Sequence, residues 1–258
     1  ATPMGGRLLK QWLLKPLLCP KQIKSRQEVI QAFLRHPEKS VALQQHLSQV
    51  RDLQRLMMRI TSNFASPKDL VALRFSLEQI PAIKSLLDFN TPLLDSCKKE
   101  LKETLAITEL IKNALVDNPP FRITDCGCFR DGYDKTLDEL RSISKNSKQW
   151  LANYQNILRA ETGIKTIKVG FTKVFGYYIE ISKGQAQNAP AFFQRRQTLV
   201  NAERFITAEL KDFEQKALTA EERIKALENE LYSRIKEQLA AYEDEVYKIA
   251  AAIAQIDV

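Results

Sequence analysis

Residues 163–204 read GIKTIKVGFTKVFGYYIEISKGQAQNAPAFFQRRQTLVNAER, and within them the apolar pattern of the chain changes. Apolar residues occupy every second position in two short runs: Ile167, Val169 and Phe171, then Tyr177, Ile179 and Ile181. This alternation of β-branched and aromatic residues is typical of half-buried strands. Four of the eight glycines, at 163, 170, 176 and 184, lie in this stretch, where turns or bulges need them. The pattern predicts a small antiparallel sheet inserted between two long helices.

The sequence on either side of this stretch has a helical period. Residues 133–162 contain neither Gly nor Pro and predict a helix of about 28 residues, roughly 40 Å long. Apolar residues three or four apart predict a second helix over 207–256, roughly 75 Å long. A helix of that length needs a long partner along its apolar stripe. We therefore expect the two helices to pair along their length.

The first 120 residues predict several shorter helices. Thr2-Pro3, Pro20 and the segment Ser66–Asp69 are typical helix starts, with a polar cap or a proline in the first turn. Pro81 is expected to kink or break the helix that starts at Ser66. A further single helix is predicted over 92–115. The fold class is therefore mainly α: a multihelical core, two long helices and a small inserted antiparallel sheet.

Composition excludes several classes of protein. The chain has 258 residues, of which 44% are hydrophobic and 27% charged, as is ordinary for a globular protein. It has no apolar window of about 18 residues for a membrane span and no apolar signal peptide, so a cytoplasmic location is expected. Four cysteines make no disulfide framework. Cys126-Gly-Cys128 is the one zinc-like spacing, and we interpret it as two small residues in a loop.

Charge is distributed unevenly along the chain. The formal net charge is +8 at pH 7, which favours anionic partners. Residues 161–205 contain seven Lys or Arg against three Glu, whereas residues 206–258 contain seven basic against twelve acidic residues. The predicted sheet is therefore basic and the helix after it is acidic.

The sequence shows no arrangement that indicates catalysis. No nucleophile–base–acid spacing occurs, and neither a GxxxxGK[ST] phosphate loop nor a GxGxxG motif is present. His36 and His46 lie in polar helical segments, where surface or half-buried placement is expected. We therefore expect neither enzymatic activity nor a bound cofactor or metal in this chain.

The predicted sheet carries the strongest candidate binding groups. Cations, amides and a hydroxyl lie in and beside its turns, and these groups bind phosphate oxygens well. Composition alone indicates contact with a polyanion, against the ordinary interpretation of a solvated hairpin. The candidates are Lys183, Gln185, Asn188, Arg195, Arg196, Gln197, Thr198, Asn201 and Arg204.

Several segments match the sequence motifs of one protein family. TPMGGRLLKQWLLKPL at 2–17 resembles the signature TxMGxRxLxxWLxxPL. DNPPFRITDCGCFRDGYDKTLDELRSI at 117–143 resembles a loop with a Gly-Gly pair leading into GYDxxLDELR, although Cys128 replaces the second small residue. SPKDLVALRFSLEQIP at 66–81 fits a core-helix pattern. With VGFTKVFGYYIEIS at 169–182 and RRQTLVNAERFITAELKDFE at 195–214, which resemble a clamp and the start of its returning arm, the chain resembles the MutS family of DNA mismatch-recognition proteins.

The resemblance implies a domain layout and a function. It implies a helical core (1–132), an ascending lever helix (133–162), a β-rich clamp (163–205) and a descending lever helix (206–258). The candidate residues of the sheet would then contact the backbone of double-stranded DNA without reading its sequence. The mismatch-reading domain, the connector domain and the ATPase of such proteins are expected outside these 258 residues.

For a full-length protein the resemblance implies further partners. It implies a DNA-dependent ATPase that uses ATP and Mg²⁺, a homodimer that encloses mismatched DNA, and a MutL-type repair partner. No membrane partner is expected, and the location would be cytoplasmic and DNA-associated. A different hypothesis is a structural coiled-coil arm whose sheet is a dimerisation tip. Such a tip needs a contiguous apolar patch, whereas residues 183–198 are rich in charges and amides.

Overall fold

The computed structural model describes residues 1–172 and 176–258, with side chains throughout those ranges except at residues 143 and 145–148. The described residues form eleven α-helices and one four-stranded antiparallel sheet. This confirms the predicted mainly α fold with a small inserted sheet. The chain forms two compact units, one of residues 1–133 with 228–258 and the other of residues 134–227.

The first unit is a bundle of short helices around an aliphatic core. Its core includes Leu53, Leu70, Leu73, Ile83 and Leu101, all fully buried. Its helices before residue 133 are α1 (Pro3–Leu14), α2 (Pro20–Arg35), α3 (Pro37–Gln49), α4 (Leu53–Thr61), α5 (Pro67–Leu77), α6 (Ile80–Leu86), α7 (Pro92–Glu100) and α8 (Leu105–Ala114).

The predicted helix starts of this unit are confirmed. Thr2 Oγ1 accepts a hydrogen bond from the N–H of Gly5 at 3.0 Å, and Pro20 opens α2. Ser66 and Asp69 form a reciprocal capping box at the start of α5. The break expected at Pro81 is also confirmed, because α5 ends at Leu77 and α6 begins at Ile80 with the proline in its first turn.

The single helix predicted over 92–115 is wrong, because residues 101–104 separate α7 from α8. Two side-chain bonds stabilise the break. Lys84 Nζ donates to the carbonyl of Leu101 at 2.6 Å, and Thr104 Oγ1 donates to the carbonyl of Leu77 at 3.1 Å. The first bond satisfies the Leu101 carbonyl, which a continuous helix would pair along its own backbone, and the second satisfies a carbonyl at the C-terminal end of α5. No Gly or Pro occurs at this break, so the apolar periodicity alone predicted one continuous helix.

The last predicted helix is also two helices, α10 (Ala208–Ala240) and α11 (Glu243–Asp257). The chain turns at residues 241–242, where the N–H of Tyr242 donates to the carbonyl of Leu239 at 3.0 Å. Glu243, Asp244 and Glu245 then occupy the first turn of α11, where carboxylates interact favourably with the helix dipole. That acidic triplet was the sequence signal for the new helix start.

The apolar stripe predicted for the last helix is buried. Leu231, Ile235 and Leu239 in α10, and Ile249 and Ile253 in α11, are buried and belong to the first unit. The helix expected to pair with them, α9 (Lys135–Thr162), belongs to the second unit. The pairing of the two long helices stays a prediction.

Polar groups on one side of α10 anchor it to two loops of the first unit. Glu228 is fully buried, and its carboxylate accepts hydrogen bonds from the N–H groups of Gly127 at 3.0 Å and Cys128 at 3.3 Å. One turn later, Tyr232 Oη donates to the carbonyl of Ala65 at 2.9 Å. Lys236 follows after another turn and bonds to Asn63 Oδ1. Positions four apart lie on one face of a helix, so the three bonds fix its register.

The second unit consists of α9, the sheet and residues 208–227 of α10. Asp134 caps α9 by accepting from the N–H of Leu137 at 2.9 Å, and Gly163 ends the helix with φ of 69°. The predicted 28-residue helix is thereby confirmed. The helical period of residues 133–162 includes Ile143 among its apolar positions, and the side chain of Ile143 lies outside the described residues. The strands are β1 (Lys168–Thr172), β2 (Gly176–Ser182), β3 (Gln194–Thr198) and β4 (Ala202–Ile206).

Replacing Glu228 by Ala should destabilise the first unit. The change leaves the N–H groups of Gly127 and Cys128 without their acceptor, so the free energy of unfolding should fall by about 2–4 kcal/mol. The control is Glu230→Ala, an exposed position on the same helix, which should change it by less than about 0.5 kcal/mol. Urea unfolding followed by circular dichroism measures both, and equal losses would contradict the anchoring role of Glu228.

Alkaline unfolding should depend on Tyr232. Burial is the largest cause that raises the pKa of this phenol above its ordinary value, with smaller contributions from Asp69 and Cys128. A raised folded-state pKa stabilises the fold fully below about pH 10, and this contribution is lost as pH rises through the folded pKa. Tyr232→Phe should therefore be less stable near neutral pH but lose stability less steeply above about pH 10. Parallel pH profiles of urea midpoints would contradict this.

Candidate nucleic-acid interface

The sheet has the strand order β1-β2-β4-β3 with antiparallel pairing throughout. The alternation in the sequence located β1 and β2. It missed β3 and β4, whose residues we expected to lie in and beside turns. The segment 173–175, part of the stretch that resembles the clamp, lies outside the described residues.

One face of the sheet packs on α9 and α10 within this unit. Ile179, Ile181 and Phe205 are buried there, as the alternation predicts for the first two. Phe171 is instead about half exposed, so its predicted burial is wrong. Aromatic rings from both helices complete this core. The Trp150 ring stacks on Phe213 with centroids 3.9 Å apart and an interplanar angle of 7°.

Hydrogen bonds fix the sheet on the same helices. Tyr154 Oη and Thr207 Oγ1 are 2.6 Å apart, which joins α9 to the residue preceding α10. Glu214 Oε1 accepts from the N–H of Tyr177 at 3.1 Å, joining α10 to β2. Burial raises the pKa of Tyr154 and that of Tyr177 above their ordinary value. At the outer edge of β1, Gln155 of α9 accepts from the N–H of Val169 at 2.9 Å, which satisfies one donor of that edge.

Several candidate residues meet at the end of the sheet where β2 ends and β4 begins. The N–H of Lys183 donates to the carbonyl of Asn201 at 3.1 Å, so these two exposed residues are adjacent. Gln185 is half-buried, and its Oε1 accepts from Thr166 Oγ1 at 2.7 Å. Thr166 Oγ1 in turn lies 3.1 Å from Ser182 Oγ. This end of the sheet, called the loop end below, thus brings together the cation of Lys183, the amides of Gln185 and Asn201, and the hydroxyls of Thr166 and Ser182.

A β-bulge in β3 places its two adjacent arginines, Arg195 and Arg196, in different surroundings. Arg195 pairs with Phe205 and Gln197 with Arg204, so Arg196 is the extra residue between them. Arg195 lies on the face of Phe205, where its Nε is 2.9 Å from Glu203 Oε2. Arg196 is exposed. The bulge therefore places neighbouring cations in different surroundings.

Arg204 is held by side chains of its own sheet. Its Nε donates to Glu180 Oε2 at 3.0 Å, and Nη1 donates to Gln197 Oε1 at 3.1 Å. Its guanidinium also lies 4.1 Å from the centroid of the Tyr178 ring. The side chain is only 18% exposed. Arg204 and Gln197 are thus occupied by contacts within the sheet.

The nine candidates differ in their exposure to solvent. Six are exposed, namely Lys183, Asn188, Arg195, Arg196, Thr198 and Asn201. Three are half-buried, namely Gln185, Gln197 and Arg204. The sequence did not reveal that Glu180 and Glu203 neutralise two of the arginines, because that depends on strand register.

Comparison with known proteins identifies the family. The profile of the family described as MutS domain III matches residues 1–258. The chain belongs to the MutS family. It is 48% identical over 258 residues to the DNA mismatch repair protein MutS of Protochlamydia amoebophila, covering 99% of this chain and 30% of that protein. It is 42% identical to the protein of the same name from Methanosarcina mazei, over 100% of this chain and 29% of that protein.

A third MutS relative, from Persephonella marina, is 41% identical over 99% of this chain and 30% of its own length. The chain thus spans about three tenths of the length of the MutS proteins it matches. The resemblance drawn from the sequence motifs is thereby confirmed as to family.

The other candidate sites of this MutS chain show ordinary side-chain contacts. His36 lies between α2 and α3, and His46 Nδ1 is 2.9 Å from Gln79 Oε1. Cys128 is buried and Cys126 half-buried. Within residues 1–172 and 176–258, no three His, Cys, Asp or Glu residues are grouped as metal ligands would be. No helix over the same ranges is both long and apolar enough to cross a membrane.

Replacing Gly176 by Ala should destabilise the sheet of this MutS chain. Gly176 has φ of 73°, and an added Cβ would lie 1.7 Å from Glu214 Oε1. Left-handed backbone strain, together with loss of the bond from the N–H of Tyr177 when Glu214 moves away, should cost about 2 kcal/mol. The matched control is Gly163→Ala, with φ of 69° and no atom within 4 Å of its Cβ, which should cost less. Unfolding can be followed by Trp150 fluorescence in a Trp12→Phe background. Equal stability of the two variants would contradict the contact with Glu214.

Proposed function

We propose that the sheet-bearing unit binds double-stranded DNA through its phosphate backbone, independently of sequence and of mismatches. The observation that carries this proposal is the balance of charge after internal ion pairs are formed. Glu180 and Glu203, two of the three acidic residues in 161–205, pair with Arg204 and Arg195. Lys183 and Arg196 are exposed, and no carboxylate of the described residues pairs with either of them. These cations are available to an external polyanion.

The groups around these cations suit phosphate oxygens. Asn188, Thr198 and Asn201 are exposed and can donate hydrogen bonds from amides or a hydroxyl. Such contacts orient a protein on a duplex but carry no sequence information. Arg204 and Gln197 are occupied within the sheet, so we assign them to positioning the strands that carry Arg196.

In a full-length protein, we propose that this region works within a mismatch repair ATPase. The first unit would connect to the ATPase, and α9 and α10 would serve as the lever helices that couple nucleotide state to DNA binding. ATP and Mg²⁺ would bind elsewhere in the protein, since these 258 residues contain no GxxxxGK[ST] loop. This chain alone would have no ATPase activity.

The remaining proposals follow the names and functions of the relatives. The full-length protein would recognise mismatched DNA as a homodimer, act with a MutL-type partner and reside in the cytoplasm on DNA. The alternative, a structural arm with a dimerisation tip, makes a different prediction for the sheet. Sedimentation of the chain with and without duplex DNA distinguishes a DNA complex from a protein dimer.

Replacing Arg196 by Glu should weaken binding to every duplex by a similar factor. Loss of one phosphate contact should reduce the slope of log K against log salt by about 1. The matched control is Arg223→Glu, the same charge change at an exposed position of α10 in the same unit. Fluorescence anisotropy with matched and mismatched duplexes over a KCl series measures both variants.

Two outcomes of that experiment would contradict the proposal. One is a loss of affinity by Arg196→Glu that is confined to mismatched DNA. The other is an equal loss by Arg223→Glu, which would indicate a response to net charge rather than contact by the sheet.

A further inference from the structure

Val200 lies in the turn between β3 and β4 and is 85% exposed. The turn is closed by the N–H of Leu199, which donates to the carbonyl of Ala202 at 2.8 Å. Turn positions favour Gly, Asn, Asp and Pro, which adopt or stabilise turn conformations. A β-branched aliphatic residue at this position gains no core burial. Positions that break a local rule without benefit to the fold are where functional contacts are expected.

Polar and cationic groups surround this exposed side chain. Asn201 is the next residue, and its carbonyl accepts from the N–H of Lys183 at 3.1 Å. Lys183, Asn201 and Thr198 are all exposed. Val200 is therefore an apolar projection at the loop end of the sheet, flanked by a cation, an amide and a hydroxyl. Its methyl groups gain nothing from phosphate oxygens, but they can contact deoxyribose and base edges.

We propose that Val200 enters the minor groove of B-form DNA while Lys183 and Asn201 contact the phosphates that border it. This inference rests on the proposed function and adds to it which groove of the DNA the sheet contacts. Lys, Asn and an apolar side chain together are typical of minor-groove contacts. The minor groove, about 6 Å wide, admits one side chain from a turn, whereas an α-helix needs the wider major groove. A-form RNA has a wide and shallow minor groove, so the contact should favour DNA.

The direct test is Val200→Thr in the 258-residue chain, a change of nearly equal volume at an exposed position. Affinity for an A·T-rich duplex should fall about fourfold, the factor that corresponds to one buried methylene-sized group. The salt slope should stay unchanged, because an apolar contact releases no counterions. Ile157→Gln is the matched control, since Ile157 is 52% exposed on α9 of the same unit, and its affinity should equal that of the native chain.

Netropsin, which fills the A·T minor groove, provides the second measurement. Pre-bound netropsin should weaken binding of the native chain more than that of Val200→Thr, because only the native chain has the groove contact to lose. Equal losses, or a Val200→Thr affinity equal to native, would overturn the inference while a loss by Arg196→Glu still supports backbone binding. If the native chain fails to bind duplex DNA at low salt, the proposed function and this inference both fail.

Discussion

The stacking of Trp150 on Phe213 is the contact on which the sheet-bearing unit depends. It places flat aromatic surface from α9 and α10 against the buried face of the sheet. Aromatic rings bury large apolar areas, and their offset stacking adds a geometric preference. The hydrogen bond between Tyr154 and Thr207 lies in the same core. Because this face supplies the stability, the loop end of the sheet is released from packing and can carry cations and amides.

The sequence predicted half of this sheet, and the reason lies in what each strand buries. Strand β2 places Ile179 and Ile181 in the core, so its alternation is clear. Strand β3 is an edge strand whose paired residues on that face are Arg195 and Thr198, beside Phe205 and Glu203 of β4. An edge strand with a bulge needs no apolar alternation, and charges on it discourage pairing with other sheets. The alternation of apolar and polar residues therefore could not predict β3.

The helix breaks were hidden for a related reason. Thr104 and Lys84 stabilise the break between α7 and α8 by donating hydrogen bonds to carbonyls that are distant in sequence. Local propensity contains no information on such partners. Likewise, the individual candidate residues could be proposed from composition, but their separation into exposed and internally paired groups depends on register. Glu180 lies opposite Arg204 only because β2 and β4 pair as they do.

Helix α10 makes both apolar and polar contacts in each unit. Within the second unit Phe213 stacks on Trp150 and Glu214 accepts from the N–H of Tyr177, and within the first unit Glu228 and Tyr232 bind backbone groups of two loops. Apolar contacts tolerate small sliding, but a buried carboxylate that accepts two N–H bonds does not, since a shift leaves donors unpaired. Both loops also contain residues with positive φ, Asn63 at 67° and Cys126 at 57°. Such conformations persist only where surrounding contacts hold them, so the bonds from Glu228 and Tyr232 fix both the loops and the register of α10 within the first unit.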